Sequence, residues 1–167
     1  MILRFRSVIE DKAKKLEKYR EKGIIKPTDR AVIAISGVLL PYRVSPRIPP
    51  EIVRAVYPVG DITIEIHRET RQIVDSYLPY NNRVRKVSGV EIETDIFLTD
   101  KFRHISAVLY GEGDWVNPFD PPGHDFKIMH NPRAELRLPD GWFPRGHEYW
   151  LRDGLKLDSK NHNADDP

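Results

Sequence analysis

The segment from Ala31 to Ile35 places the strongest constraint on the fold, because five apolar residues follow one another without a polar interruption. Side chains of a strand point alternately to its two faces, so a strand made of these residues is apolar on both faces. Such strands lie in the middle of a sheet that is covered on both sides. The sequence therefore predicts a layered domain built around this strand, which ends at Ser36 and Gly37.

An amphipathic helix is predicted before this strand, from about Ser7 to Lys22. Ser7 and Glu10 have the S-x-x-E spacing of a capping box, in which the two side chains satisfy backbone N–H groups at a helix start. Apolar residues recur at helical spacing behind it, and Gly23 is the residue type that commonly ends a helix. The helix is available to cover one face of the sheet.

Short strands are predicted along the rest of the chain. Residues Asp61 to His67 alternate between apolar and polar, and together with Gln72 to Tyr77 they are expected to form a hairpin. The other expected elements are a short helix from Glu51 to Tyr57 and strands at Ile105 to Tyr110, Phe126 to His130 and His147 to Leu151. We therefore expect an α+β fold: a mixed sheet of about five to six short strands, one long N-terminal amphipathic helix and proline-rich loops.

Length and composition favour a single folded domain. A chain of 167 residues suffices for one domain with a core, and its 14 prolines predict rigid connections. We expect residues 1–152 to form that domain and the polar residues 153–167 to be a disordered tail. The absence of cysteine excludes disulfides and thiolate chemistry and favours a cytoplasmic location. No apolar run approaches the roughly 20 residues that span a bilayer, so no membrane partner is expected.

Candidate site residues concentrate between His104 and Trp150, a stretch that holds all three tryptophans and four of the six histidines. Polar residues in this stretch fall at the ends of predicted strands, where side chains from neighbouring strands can meet. We define the candidate polar cluster as His104, His130, Asn131, Arg145 and His147. No motif of the sequence indicates a cofactor or a catalytic residue, and no metal ligand is assigned.

The predicted N-terminal helix is basic, since eight Lys or Arg residues stand against four Asp or Glu residues between Met1 and Gly23. Lysines neutralise backbone phosphates, so the candidate contacts to a nucleic acid are Lys14, Lys15, Lys18 and Lys22. The same lysines are also typical of the solvated face of an ordinary amphipathic helix.

Six segments of the chain form a recognisable pattern: KLEKYREKGI (Lys15–Ile24), VIAISG (Val32–Gly37), AVYPVG (Ala55–Gly60), FLTDKFRHISAVLYG (Phe97–Gly111), HNPRA (His130–Ala134) and LPDGWFPRGHEYW (Leu138–Trp150). This pattern resembles the C-terminal part of an uncharacterised bacterial protein family. Longer members of that family carry, before the lysine-rich helix, a further domain similar to the PD-(D/E)XK restriction endonucleases. The chain departs from the family pattern at Ser36, where the family has Asn.

The resemblance implies that the helix and first strand are later elements of a nuclease-like core, whose carboxylates and lysine would lie before Met1. We therefore expect a non-catalytic or truncated relative of nuclease-like proteins that acts in binding or assembly. Its partner would be a missing N-terminal segment or a second copy of the chain. Two alternatives are a hydrolase or nuclease-type enzyme that uses the candidate polar cluster, and a nucleic-acid-binding module that uses the basic helix. Since only one strong helix covers the first strand, we also expect either self-association or a large exposed apolar patch.

Overall fold

The computed structural model describes residues 1–39, 48–113, 122–152 and 156–165. The helices are α1 (Ile2–Glu21) and α2 (Glu51–Val56). The strands are β1 (Val32–Ser36), β2 (Thr63–Ile66), β3 (Ile73–Tyr77), β4 (Arg83–Arg85), β5 (Glu91–Glu93), β6 (Ala107–Gly111), β7 (Lys127–His130), β8 (His147–Arg152) and β9 (Lys156–Asn161). Parts of the proline-rich segment between β1 and α2, of the stretch from His104 to Trp150 and of the tail lie outside the described residues.

Five strands form one mixed sheet in the order β1-β6-β7-β8-β9. β1 runs parallel to β6 and β7 runs parallel to β8, whereas β6 with β7 and β8 with β9 are antiparallel. Two separate ribbons, β2 with β3 and β4 with β5, lie outside this sheet. The long N-terminal helix and the mixed sheet confirm the α+β class.

Both helices pack against one face of the main sheet. Phe5 of α1 is buried there, and its ring meets Tyr110 of β6 edge to face at 5.3 Å. Tyr57, which follows α2, is also buried, and its hydroxyl oxygen lies 2.6 Å from the His130 carbonyl oxygen and 2.9 Å from the Tyr149 carbonyl oxygen. One hydroxyl therefore ties the helix layer to both β7 and β8.

The opposite face of the sheet is covered by the loop between β7 and β8. Leu138 of this loop is buried against Ala107 of β6 and Ile128 of β7, and Phe143 packs beside them. This second apolar cluster is smaller than the first, because a loop instead of a helix forms the layer. His130 of β7 and Glu148 of β8 are buried on the same face, beside this cluster.

α1 begins at Ile2, so the expected capping box is wrong. Ser7 lies within the helix, and the N-cap residue is Met1, which makes no side-chain capping bond. The burial of Ile2 and Phe5 against the sheet extends the helix beyond the local signal, since packing supplies most helical stability in proteins. Among the described residues, no helix has both the length and the apolar character needed to cross a membrane.

β1 is an edge strand of the sheet, so its expected central position is wrong. Ile33 and Ile35 are buried under the helices, but Ala34 and Ser36 are exposed. A run of apolar residues is compatible with burial of the strand on both faces. Such a run does not require burial on both faces. Which strands lie beside a given strand depends on residues far away in the sequence, and local composition carries no information about them.

Residues 156–165 form regular structure, which differs from the disordered tail expected from residue 153 onward. β9 pairs with β8 from the Arg152–Lys156 pair to the His147–Asn161 pair. A short 3-10 helix, His162–Asp165, then follows. This polar segment is a strand because it pairs with β8. No pattern within the segment itself predicts that pairing.

Other expectations from the sequence are confirmed. α2 covers the predicted short helix, and β2 and β3 form the predicted hairpin, with Thr63 opposite Tyr77. β6, β7 and β8 lie where strands are predicted, shifted by at most two residues at either end. These elements carry strong local patterns, whereas β4 and β5 lie in a segment without one.

Candidate ligand-binding cleft

A cluster of polar and aromatic side chains lies on the loop-covered face, where β7 and β8 run side by side. Ile128 pairs with Glu148 in parallel register, so His130 and Trp150, two residues further along each strand, point to the same face. The β7–β8 loop passes over this face. The sheet therefore brings His130, Glu148 and Trp150 together beneath the loop.

Glu148 lies at the centre of the cluster and is fully buried. Its Oε1 atom is 3.2 Å from Nε2 of His130, and its Oε2 atom is 2.9 Å from Nε2 of His162. The backbone N–H of Gly141 donates to Oε2 at 2.9 Å. With the Nε2–H tautomer of each histidine, the carboxylate accepts three hydrogen bonds from three separate segments. These donors compensate for the burial of a charge, which is unfavourable without partners.

Burial by itself would raise the pKa of Glu148, because a charge is poorly solvated inside the protein. The hydrogen bonds from His130, His162 and Gly141 act in the opposite direction and outweigh burial, so the pKa lies below its ordinary value. Glu148 is therefore a carboxylate near neutral pH. It holds both imidazoles and the β7–β8 loop in place.

A cleft of about 220 Å³ opens beside this cluster. Its charged walls are Arg137 and Asp140 of the β7–β8 loop and Arg152 of β8. The other lining residues are Ser106, His130, Asn131, Pro132, Leu138, Trp150 and Leu151. Arg152 is paired with Asp140 and Asp158, whereas no carboxylate of the described residues contacts Arg137, so the available positive charge of the cleft lies at Arg137.

Trp150 forms one wall of the cleft and is fixed by several contacts. Its ring stacks on His130 with 5.2 Å between the ring centroids and 17° between the planes. Its Nε1–H donates to Asp140 at 3.0 Å, and the Arg152 guanidinium lies 5.3 Å from the ring centroid. Arg152 also pairs with Asp140 at 3.2 Å and with Asp158 at 3.0 Å. These contacts connect the Trp150 wall to the β7–β8 loop and to β9.

Asn131, a member of the candidate polar cluster, binds backbone groups. Its side-chain amide donates to the carbonyl oxygens of Phe102 and Ile105, both at 2.9 Å. Its Oδ1 atom accepts from the backbone N–H of Arg133, also at 2.9 Å. These three bonds use most of the capacity of the amide and join the β7–β8 loop to the segment before β6.

Two further members of the candidate polar cluster, His104 and Arg145, do not line the cleft. Nε2 of His104 lies 3.2 Å from the carbonyl oxygen of Ala13, which connects the turn before β6 to α1. Nη1 of Arg145 donates to the carbonyl oxygen of Pro122 at 3.4 Å. Both side chains contact backbone groups of segments distant in sequence.

His147 begins β8, so it lies at the opposite end of the strand from the cleft and on the helix-covered face. Its ring stacks on Tyr149 with 4.6 Å between the centroids. Burial lowers the pKa of His147, and the charges of Lys127 and His162 add to this effect. Of the five cluster members, the structure thus brings only His130 and Asn131 to the cleft.

The candidate nucleic-acid contacts Lys14, Lys15, Lys18 and Lys22 are all exposed, on α1 and at its C-cap. Positions 14, 18 and 22 share one stripe of the helix, because residues four apart are neighbours on its surface. α1 packs on the face of the sheet opposite to the cleft. The lysine stripe and the cleft are therefore separate surfaces.

A second charged cluster lies where β6 ends and β7 begins, and sequence reasoning does not predict it. Nζ of Lys127 lies 3.3 Å from the Glu112 carboxylate and 5.4 Å from the Tyr110 ring centroid. Asp125 accepts hydrogen bonds from the backbone N–H groups of Glu112 and Gly113. These groups are thus paired with one another. Within the described ranges, no set of three or more His, Asp or Glu side chains is arranged to hold a metal ion.

The candidate polar cluster leaves out most of the residues that build the cleft and the network beneath it: Arg137, Glu148, Trp150, Arg152 and His162. The period of two within β8 is a signal that could have placed Glu148, Trp150 and Arg152 on one face. No local signal marks Arg137 or His162, because a loop and a distant strand bring them into position.

Comparison with known proteins adds no relative: no family model, curated protein or solved structure matches this chain. The function is therefore inferred from the cleft and the charges around it.

Proposed function

We propose that this chain is a binding domain whose cleft takes a small ligand with an anionic group, such as a phosphate or a carboxylate. The supporting observation is the pair of arginines, Arg137 and Arg152, on the walls of the cleft. A guanidinium group presents a planar fork of N–H donors that matches the oxygens of both anions. The volume of about 220 Å³ suits a small group or one end of a larger molecule.

Arg137 is the more available of the two anchors. Its Nη2 atom donates to the carbonyl oxygen of Pro132 at 2.6 Å, and the residue is exposed. In the described part of the chain, no carboxylate is in contact with its guanidinium group. Arg152, in contrast, is already shared between Asp140 and Asp158. An incoming anion would therefore meet an unneutralised charge at Arg137.

The polar network under the cleft supports binding better than catalysis. Nε2 of His130 contacts Glu148, and the amide of Asn131 is used by three backbone groups. Both side chains are thereby fixed parts of the wall. This role agrees with the non-catalytic binding or assembly function that the resemblance to nuclease-like bacterial proteins implies.

A hydrolase is the alternative that one contact favours. Glu148 lies 3.2 Å from His130, and a buried carboxylate that orients a histidine is the arrangement found beside many general bases. If His130 were a general base, His130→Gln would abolish turnover of an anionic ester and leave binding of inorganic phosphate intact. A purely binding cleft has no turnover to lose.

A nucleic-acid-binding module is the other alternative, and the exposed lysine stripe of α1 favours it. Binding through lysines releases counterions, so affinity for DNA would fall steeply with salt. Changing Lys14, Lys18 and Lys22 to Gln would then reduce the salt dependence, whereas a change at Arg137 would not.

The proposal is tested by titrating the isotope-labelled chain with inorganic phosphate and, separately, with acetate, following backbone amide resonances. We expect shifts confined to residues 130–141 and 150–152. Arg137→Gln should weaken binding about ten-fold or more, since a hydrogen bond to a charged group contributes roughly 1.5–3 kcal/mol. Arg83→Gln is the matched control, because Arg83 is exposed and pairs with Glu91 on the β4–β5 ribbon. Titrations that leave the cleft resonances unmoved with both anions would refute the proposal.

A further inference from the structure

The β2–β3 hairpin exposes a set of large apolar side chains. Those of Ile64, Ile66, Ile73 and Val74 are between 49% and 66% exposed. A two-stranded ribbon is marginally stable by itself, and contiguous exposed apolar residues mark interaction surfaces. Covering the apolar side chains of the hairpin with another protein surface would therefore stabilise it.

Among the described residues, the outer edge of β1 is an open position in the main sheet. The backbone N–H of Gly37 donates to the carbonyl of Gly111 at the end of β6, so odd-numbered residues of β1 direct their backbone groups toward β6. In a parallel ladder, alternate residues point to opposite sides, which leaves Val32, Ala34 and Ser36 directed outward. No strand within the described residues pairs with β1 on that side. Such a row of N–H and C=O groups is a template for another strand.

A groove of about 290 Å³ runs between this edge and α1. Its helix side consists of Lys12, Lys15, Leu16 and Tyr19, and its sheet side of residues 32–34. Leu16 and Tyr19 make the groove partly apolar, and the two lysines make it basic. A strand added to β1 would therefore meet a packing surface as well as backbone partners.

The hairpin and the groove are complementary in charge and length. Residues 61–77 contain four carboxylates and two arginines, whereas α1 contains seven basic and four acidic residues. Opposite charges favour encounter of the two surfaces. β3 and β1 each have five residues, and no described strand lies against the outer edge of β3.

We propose that the hairpin of one copy of this chain adds to the outer edge of β1 in a second copy. β3 supplies the backbone hydrogen bonds, and Ile64, Ile66 and Ile73 cover Leu16 and Tyr19 of that second copy. Two different surfaces meet in this contact. One copy therefore keeps its own β1 edge available for a further copy, and the other copy keeps its own hairpin available. The association is head-to-tail, and it extends the main sheet by the two strands of the hairpin.

Sedimentation equilibrium of the full chain over a range of concentrations tests the proposal, with an average mass expected to rise with concentration. Ile73→Lys places a charge on the exposed hairpin, and Ala34→Pro removes an outward N–H of β1 without removing a bond to β6. Each variant should weaken association about ten-fold or more. Val87→Lys, at a fully exposed position outside the hairpin, is the control and should associate like the wild type.

Mixing the two variants gives the decisive result. The intact hairpin of Ala34→Pro fits the intact edge of Ile73→Lys, so an equimolar mixture should form a discrete dimer. If Ala34→Pro fails to fold, as judged by circular dichroism, the combined Lys12→Glu and Lys15→Glu substitutions at exposed helix positions replace it. A wild-type chain that stays monomeric at all concentrations would overturn the proposal. So would folded variants whose mixture stays monomeric, or an edge variant that associates normally, because the latter indicates contact between two hairpins.

Discussion

Each oxygen of the Glu148 carboxylate holds a different part of the chain. Oε1 contacts His130 on the neighbouring strand, and Oε2 contacts Gly141 of the loop and His162 beyond β9. A single buried side chain thus links the loop and the C-terminal segment to the sheet. Residues 130, 141 and 162 are far apart in sequence, which is why their meeting point is invisible to local pattern analysis.

Glu148→Gln is expected to destabilise the fold at neutral pH by about 1–3 kcal/mol, because one of the three donors then faces an amide N–H group. The pKa of Glu148 lies below its ordinary value of 4.5, so its carboxylate contributes stability above that pH. The contribution is lost as pH falls through the lowered pKa. Thermal unfolding from pH 7 to pH 3 should therefore show a difference between wild type and variant that shrinks below about pH 4.5.

Glu135→Gln serves as the control for this pH series. Glu135 pairs with Arg20 at 3.0 Å, but its side chain is 45% exposed, and such surface pairs contribute little to stability. A Glu148→Gln variant whose difference from the wild type stays constant down to pH 3 would contradict the assignment of a buried carboxylate.

At the scale of elements, the start of β8 depends on Gly146, a position where any residue with a side chain would be strained. Gly146 has a φ of 95°, and a Cβ atom built there would lie 2.6 Å from the Phe126 carbonyl oxygen. The same oxygen accepts the His147 N–H at 2.7 Å, so it is held in place by the first bond between β7 and β8. The close approach of the two strands therefore requires glycine.

Gly146→Ala should destabilise the chain more than Gly23→Ala does. Both glycines have positive φ, but a Cβ atom at Gly23 would have no neighbour within 4 Å. Gly23→Ala thus reports backbone strain alone, expected at about 1 kcal/mol, whereas Gly146→Ala adds displacement of Phe126, with a total of roughly 2–4 kcal/mol. Urea denaturation of the two variants measures the difference. Equal losses would show that β7 can move away from Gly146 freely.

Elements with a strong local pattern could be predicted from the sequence, and those defined by their neighbours could not. The alternation of Ile62, Ile64 and Ile66 predicts the hairpin, and the apolar run before Ser36 predicts β1. The edge position of β1 depends on β6, 75 residues away, as the bond between Ala31 and Ser106 illustrates. Long-range pairing likewise makes residues 156–161 a strand.

For the whole molecule, the α+β class followed from the order of predicted elements, whereas the cleft did not. Two members of the candidate polar cluster, His130 and Asn131, do line the cleft. His130 is the last residue of a predicted strand and Asn131 is the next residue, so the prediction of the strand also placed them. Arg137 and Arg152 carry no motif, since any exposed arginine has the same local sequence signature. Only their position in the folded chain distinguishes these two arginines from the other arginines of the sequence.

Shortening the chain to residues 1–152 should destabilise the whole domain. It removes β9, which pairs with all six residues of β8, and it removes the His162 donor to Glu148. Removing one hydrogen-bond donor from a buried charged group alone costs about 1–3 kcal/mol. Calorimetry of this shortened chain beside one ending at residue 165 measures the loss. A shortened chain with unchanged unfolding temperature would show that β9 is dispensable.

The contact between His162 and Glu148 also has a consequence during synthesis of the protein. β7, β8 and the loop over them are complete by Arg152, yet the carboxylate lacks one donor until His162 has been added. The polar network beneath the cleft is therefore completed only when a residue 14 positions beyond Glu148 has been added. If the proposed ligand binds there, it would therefore stabilise chains that extend through that histidine more than chains that stop before it.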